Sequence, residues 1–295
     1  MRAVVTMAGE GTRMLPATRG MRKEMLPLFY RGRQGNPTLA PVAHLVVRTL
    51  HAAGVDDLTV IVSPDQEAVV RYFQPDDAFI ARHLHHPERL VETLALHHLL
   101  SEMEFHWVTQ RAPKGFGDAL LRARDRIGRE PFVLHAADAV LWEPVPGRLP
   151  RAMDALRRKE GARVVLLVRR VPEPRNYGVV EGTWAGRIDG ARYLRVTRME
   201  EKPERPRSSW AATAVYAFAP EIFEALEAEA RRHPSELEVT SAISRLIQEG
   251  EKVFAVVLAP KEGQWLSVGS PEGYLRAVKR TYALARRVPP RAAGR

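Results

Sequence analysis

The chain contains no cysteine, so disulfides, thiolate-ligated zinc and thiol nucleophiles are excluded. It has no apolar run near the roughly 18 residues needed to cross a bilayer. Its start, Met1-Arg2-Ala3-Val4-Val5-Thr6, runs into glycine too soon for a secretory h-region. A soluble, cytoplasmic protein with no membrane association is expected. No zinc-knuckle, aromatic RNP-type or basic-zipper pattern is present, so nucleic acid is not an expected partner. The surplus of 45 Lys and Arg over 35 Asp and Glu, a formal charge of +10, instead suits a solvated basic surface and small phosphorylated anions. No Ser/His/Asp set for nucleophilic catalysis is recognisable. No Ser/Gly linker, composition shift or fixed-period repeat divides the 295 residues. One domain over residues 1–287 is expected, followed by a mobile basic tail, 288–295 (VPPRAAGR).

What is present is an alternation of β-branched runs and helical spacing. Strands are predicted at 2–7, 58–63, 105–110, 131–136, 163–171, 192–199, 211–218 and 253–258. Helices are predicted at 41–53, 65–73, 88–103, about 117–127, 151–160, 220–232, 239–249 and 271–287, with Asp65 placed to cap the second. Such alternation predicts an α/β fold with a mixed, mostly parallel central sheet flanked by helices. The strand-rich stretch 163–218, with Gly178, Gly182, Gly186 and Gly190 between its runs, predicts a small antiparallel addition. His83, His85, His86, His97 and His98 read as partly exposed helix residues rather than metal ligands, because adjacent side chains on a helix diverge by about 100°. His135, on the strand leading to Asp138, reads as a core residue.

The stretch MAGEGTRMLPATRGMRKEMLP, residues 7–27, follows the first strand with two glycines and the cations Arg13 and Lys23. Glycines after a strand let backbone N–H groups approach an anion closely. A Walker A loop is excluded, because Gly11 is followed by Thr12-Arg13 and not by Gly-Lys-Ser/Thr. A dinucleotide fingerprint is excluded too, because the third glycine is missing and Leu15-Pro16 keeps the chain extended where a helix should open. Side chains must therefore help the amides to hold the anion.

The string Ala8-Gly9-x-Gly11-Thr12-Arg13-x-Leu15-Pro16-x-Thr18, followed by Lys23-Glu24-Met25-Leu26-Pro27, resembles the signature of the sugar-1-phosphate nucleotidyltransferases. Its wording is most similar to the bacterial members that use UTP and glucose 1-phosphate. The resemblance extends over about residues 1–280. Gln110 with Lys114-Gly115-Phe116-Gly117-Asp118-Ala119 is similar to the base-recognition segment, Ala136-Ala137-Asp138 to the strand end that presents the magnesium aspartate, and Tyr177-Gly178-Val179-Val180 to the sugar-contacting turn. Glu200-Glu201-Lys202-Pro203 resembles the Glu-Lys-Pro that holds sugar hydroxyls and the sugar phosphate, and Glu236-Leu237-x-Val239-Thr240-x-Ala242-Ile243 matches a late helix start.

The resemblance implies a Rossmann-like nucleotidyltransferase fold and attack by a sugar 1-phosphate on the α-phosphorus of UTP, giving UDP-glucose and pyrophosphate. Ala8, Gly9, Gly11, Thr12, Gln110 and Gly115 would bind the nucleotide, and Gly178, Glu201 and Lys202 the sugar phosphate. Arg13, Lys23 and Lys202 would be the catalytic cations, and Asp138 would carry Mg²⁺. The same chemistry with dTTP or another hexose 1-phosphate is the alternative, as is a catalytically impaired nucleotide-sugar-binding protein. A homodimer or homotetramer is implied as well. Four positions depart from the family pattern. Ser267 stands where an aspartate usually helps to hold the metal, Ser241 where an aspartate is usual, Arg22 replaces a proline, and Ser209 replaces an asparagine near the sugar. Residues 30–40 read as a short insertion.

Overall fold

Arg2–Thr6 (β1) is apolar on both sides, with Ala3 and Val5 toward one face and Val4 toward the other. Only the middle of a sheet covered on both faces accommodates such a strand. The computed structural model describes residues 1–287 and puts β1 there; the tail expected at 288–295 lies outside the described residues.

Behind β1 come single 3₁₀ turns at Thr12–Met14, Ala17–Arg19 and Lys23–Met25, then Pro27–Arg31 (β2), Pro37–Pro41 (β3) and Val42–Ala52 (α1). Asp57–Val62 (β4) leads through Glu67–Tyr72 (α2), Asp77–His83 (α3) and Pro87–Ser101 (α4) to Glu104–Thr109 (β5). Phe116–Leu121 (α5) and Arg124–Ile127 (α6) precede Phe132–Ala136 (β6), Ala139–Trp142 (β7) and Arg148–Glu160 (α7). The second half runs Val164–Arg170 (β8), Gly178–Ile188 (β9), Ala191–Glu201 (β10), Trp210–Phe218 (β11), Ile222–Arg232 (α8) and Val239–Gln248 (α9). Val253–Val257 (β12), Gln264–Ser267 (β13) and Pro271–Ala285 (α10) complete it.

Nine strands form one sheet in the order β5-β4-β1-β6-β11-β8-β12-β10-β9. β5, β4, β1 and β6 are parallel, as are β12 and β8. β11 runs against both β6 and β8, and β10 against both β12 and β9. The α/β expectation of a mixed sheet holds: seven of the nine strands point one way, and β10 and β11 run against them. The stretch 163–218 is no appendage, since its strands β8, β9, β10 and β11 make up much of the sheet itself. One face is covered by α1 and α7 through Leu45, Val46, Leu50, Leu149, Met153 and Leu156. The other is covered by α5, α8 and α9 through Leu120, Phe223, Leu226, Ile243 and Leu246. Each such fully buried side chain contributes roughly 1.5–3 kcal/mol.

The remaining differences have local causes. Asp65 does not cap α2; its carboxylate accepts from Ser63 Oγ at 2.8 Å and pairs with Arg22. The helix expected at 117–127 breaks between α5 and α6. The insertion read at 30–40 overlaps the β2–β3 hairpin. β9 was not expected because its glycines look like separators. They are needed inside the strand, since a Cβ at Gly182 would stand 2.3 Å from Arg195 O of β10. Among the described residues no helix is long and apolar enough to cross a membrane.

From β1 the chain moves outward to β4 and β5 on one side, then returns to lay β6 on the other. Loops leaving the carboxyl ends of β1 and β6 therefore part in opposite directions and leave a crevice between them, the usual place for a ligand on an open sheet.

Candidate active site

A cleft of about 1080 Å³ occupies that crevice. Ala8, Gly9, Arg13 and Lys23 line it from the loop after β1. Gly11 and Thr12 do not line it. Gly11 adopts φ +67°, and its carbonyl accepts from Thr18 Oγ1 and Met14 N at 2.9 Å each, so it fixes the turn that sends Arg13 toward the cleft. Gly9 leaves room for the lysine: a Cβ there would stand 3.1 Å from Lys23 Nζ. That ammonium lies 3.7 Å from Asp138 Oδ2 and 3.7 Å from Glu24 Oε1. Glu24 is buried, and its Oε2 has no hydrogen-bond partner among the described residues. Burial pushes its pKa up to about 7, against the pull of Lys23. Sequence reasoning passed over Glu24, although a carboxylate set directly before the apolar Met25-Leu26-Pro27 was a signal. It also missed Gln66, whose buried amide donates to Met7 O at 2.6 Å and accepts from Ser63 N at 3.1 Å, tying the loop after β1 to the loop after β4.

Asp138 sits at the turn from β6 to β7. β7 pairs antiparallel with β13, which sets Ser267 opposite Ala139, and Val268 N donates to Asp138 O at 2.8 Å. Ser267 is thereby held beside Asp138 from across the chain. A Cβ added at Gly269 would lie 3.4 Å from Ser267 Oγ, 3.6 Å from Arg13 Nη2 and 3.8 Å from Asp138 Oδ2. A small open volume is thus ringed by a hydroxyl, a guanidinium and a carboxylate. Mg²⁺ binds through one or two carboxylates and keeps water and phosphate oxygens. A one-third exposed Asp138 beside Ser267 Oγ and this gap fits such an ion. Beneath it His135 is buried as expected; it hydrogen-bonds Ala136 O through Nδ1 at 2.8 Å, and burial pulls its pKa down to about 4.

Gln110 and Gly115 line the cleft on the far side of the β1 loop. The Gln110 amide nitrogen donates to Asp118 Oδ2 at 2.7 Å and to Gly115 O at 3.4 Å. Gly115, at φ +97°, has its own structural cause: a Cβ there would stand 2.4 Å from Leu237 O. Leu237 N donates to Lys114 O at 2.8 Å and Gly117 N to Leu237 O at 2.7 Å, so this loop is clasped to the start of α9.

Gly178, Glu201 and Lys202 gather at the other end. Gly178 faces Glu201 across the β9–β10 ladder, and a Cβ on it would crowd Thr240 Oγ1 at 3.0 Å and Glu201 Oε2 at 3.3 Å. Thr240 Oγ1 donates to Glu201 Oε2 at 2.7 Å, and Lys202 Nζ is 3.3 Å from Glu201 Oε1. Lys202 holds φ +42°, and β11 carries a bulge with Ala214 at φ +54°, both on the cleft wall; such irregularities re-aim backbone and side chains at sites. Partial burial acts to lower the Lys202 pKa, but Glu201, Glu238 and Glu236 lift it above the usual value. Glu238, missed from sequence, lines the same end; burial and then Glu201 push its pKa up to about 7. Ser241 only donates to Glu238 O at 2.7 Å, and Ser209 does not line the cleft.

A second acidic group, Asp57, Glu104 and His106, comes together at the opposite ends of the strands. Arg2 is 3.2 Å from Asp57, and Arg126 is 3.5 Å from Glu104 and touches His106; none of Asp57, Glu104 and His106 lines the cleft. His85, His86 and His98 are exposed, and His83 and His97 are half-buried.

The family model for nucleotidyl transferases matches residues 2–283. The UTP–glucose-1-phosphate uridylyltransferase of Bacillus subtilis is 30% identical over 93% of this chain and 88% of its own. The enzyme of that name from Mycoplasma pneumoniae is 29% identical over 94% and 90%. A crystal structure of UDP-glucose pyrophosphorylase complexed with UDP-glucose superposes with a TM-score of 0.81 at 24% identity, covering 96% of this chain and 98% of the other.

Proposed function

The chain belongs to the nucleotidyl transferase family, and from that premise we propose that it joins UTP and glucose 1-phosphate into UDP-glucose and pyrophosphate. The observation that carries the reading is the convergence of Arg13, Asp138 and Ser267 around the gap over Gly269, with Lys23 beside Asp138 and a separate Glu201–Lys202–Thr240 group at the other end of one cleft. The full-length likeness to the two uridylyltransferases supports the choice of substrates.

Both reactants are anions, so the barrier contains charge repulsion and the cost of alignment. Arg13 and Lys23 bind the β- and γ-phosphates and stabilise the departing pyrophosphate. Lys202 holds the sugar phosphate in line with the α-phosphorus, while Glu201, fixed by Thr240, accepts hydrogen bonds from sugar hydroxyls. Gln110 and Gly115 hold the base. The attacking phosphate oxygen is already ionised at neutral pH, so no general base is required. Mg²⁺ held by Asp138, with the Ser267 hydroxyl beside it, neutralises triphosphate charge when bound. One nucleotidyltransferase domain over residues 1–287, working as a homodimer or homotetramer, accompanies this reading.

Pyrophosphate release with UTP or dTTP against glucose, mannose and galactose 1-phosphates tests it. Turnover preferring UTP with glucose 1-phosphate is expected; preference for dTTP or another sugar phosphate moves the assignment within the family. The second reading, a nucleotide-sugar-binding protein, is favoured by Ser267 in the place of a metal carboxylate. It gains if no pair turns over while UDP-glucose binds.

A further inference from the structure

We propose that Asp118 is a positioning residue that fixes which edge of the Gln110 amide faces the nucleotide base, and so restricts the cleft to bases carrying a proton at the pyrimidine N3 position. The inference rests on reading the cleft as a nucleotide site. Gln110 and Asp118 are both buried, and the amide nitrogen of Gln110 donates to Asp118 Oδ2 at 2.7 Å and Gly115 O at 3.4 Å. Both of its N–H groups are therefore spent on acceptors. The other Asp118 oxygen accepts from Arg122 Nη2 at 2.8 Å, one turn along, so the carboxylate itself cannot swing away freely.

Turning the amide over would set its oxygen against a carboxylate and a carbonyl, two acceptor–acceptor contacts in a buried place. The orientation is thus forced, and Oε1 is left to meet the ligand. An acceptor presented to a pyrimidine edge receives the N3–H of uracil or thymine. Cytosine offers a lone pair at that atom, and the two acceptors repel. The arrangement does not distinguish uracil from thymine, because the 5-methyl group lies away from this edge. Asp118 was present in the sequence string without a role; its spacing of eight residues from Gln110 says nothing until the loop is folded back.

The test is calorimetric binding of UTP and of CTP to the full chain, for the unmodified protein, Asp118→Asn, Gln110→Ala and the double variant. An asparagine can offer either its amide or its carbonyl, which frees Gln110 to turn. Loss of one charge-assisted hydrogen bond predicts a fall in the UTP:CTP affinity ratio of about tenfold to a hundredfold. In the Gln110→Ala background Asp118→Asn should produce no further change in that ratio, because its effect passes through Gln110. In turnover assays the loss should fall mainly on KM for UTP. Arg122→Ala, which only loosens Asp118, supplies a milder variant should Asp118→Asn fail to fold, with the ratio falling in the same direction. Nucleotide binding with an unchanged UTP:CTP ratio in both variants overturns the role of Asp118 alone. A wild-type chain that binds neither nucleotide overturns this inference together with the reading of the cleft.

Discussion

Ser267→Asp places a second carboxylate next to Asp138 on the neighbouring strand of the β7–β13 pair. The new group would stand about 5 Å from the Asp138 carboxylate, where at an effective dielectric near 20 two unit charges repel by about 3 kcal/mol. Asp138 is one-third exposed and Lys23 Nζ lies 3.7 Å away, so screening reduces the net cost to roughly 1–2 kcal/mol. Without metal the variant should melt about 2–6 °C lower than the native chain. With Mg²⁺ present the same two charges become ligands, and the half-saturating Mg²⁺ concentration should fall about tenfold or more. Thermal melts across a Mg²⁺ series, with and without UTP, read both effects in one experiment. Pyrophosphate release over the same series gives the half-saturation under turnover. A variant that melts like the native chain without metal, and whose Mg²⁺ dependence does not move, refutes the claim that Ser267 and Asp138 flank the ion.

Other perturbations follow from the same geometry. Lys23→Met removes the cation that stands 3.7 Å from both Glu24 and Asp138; turnover should fall by about 10²–10³, and a near-native rate would remove Lys23 from the leaving-group grip. Chelation with EDTA should abolish pyrophosphate release and excess Mg²⁺ restore it, whereas full activity in chelator would remove Asp138 from metal binding. His135 has a folded pKa near 4 against an ordinary 6.5 because it is buried, so the unfolded chain binds the extra proton between those values. Its stabilising share is present above about pH 6.5 and lost as pH falls toward 4, roughly 3 kcal/mol in all. Denaturant melts of His135→Phe beside the native chain should show a flatter acid limb; parallel limbs would contradict the assignment. The comparison must be between variants, because Glu24 and Glu143, both pushed up to about 7 by burial, slope the opposite way over much of the same range.

Elements that bury long β-branched or helical runs were legible: β1, β4, β6, β8 and α1 fall within a residue or two of expectation because their burial is dictated by local period. Gly9, Arg13, Lys23 and Asp138, named from the resemblance to the nucleotidyltransferase signature, all line the cleft. What failed depended on contacts distant in sequence. β9 carries glycines that make sense only against the β10 backbone, and the two short strands β7 and β13, AVLW and QWLS, are too brief to announce that residues 138 and 267 meet. Gly11 looked like part of the anion cradle, yet it serves the turn through Thr18. Asp118 and Glu238 gain meaning only from partners that folding brings to them, Gln110 in one case and Glu201 in the other.

The most direct test of the central claim runs the proposed reaction backward. UDP-glucose and labelled pyrophosphate are incubated with Mg²⁺ and either the native chain or Asp138→Asn, and labelled UTP is measured. The account predicts that the native chain forms labelled UTP and that Asp138→Asn, still able to bind UDP-glucose, forms almost none. No labelled UTP from a native chain that binds UDP-glucose would contradict it, and would leave a binding protein in place of an enzyme.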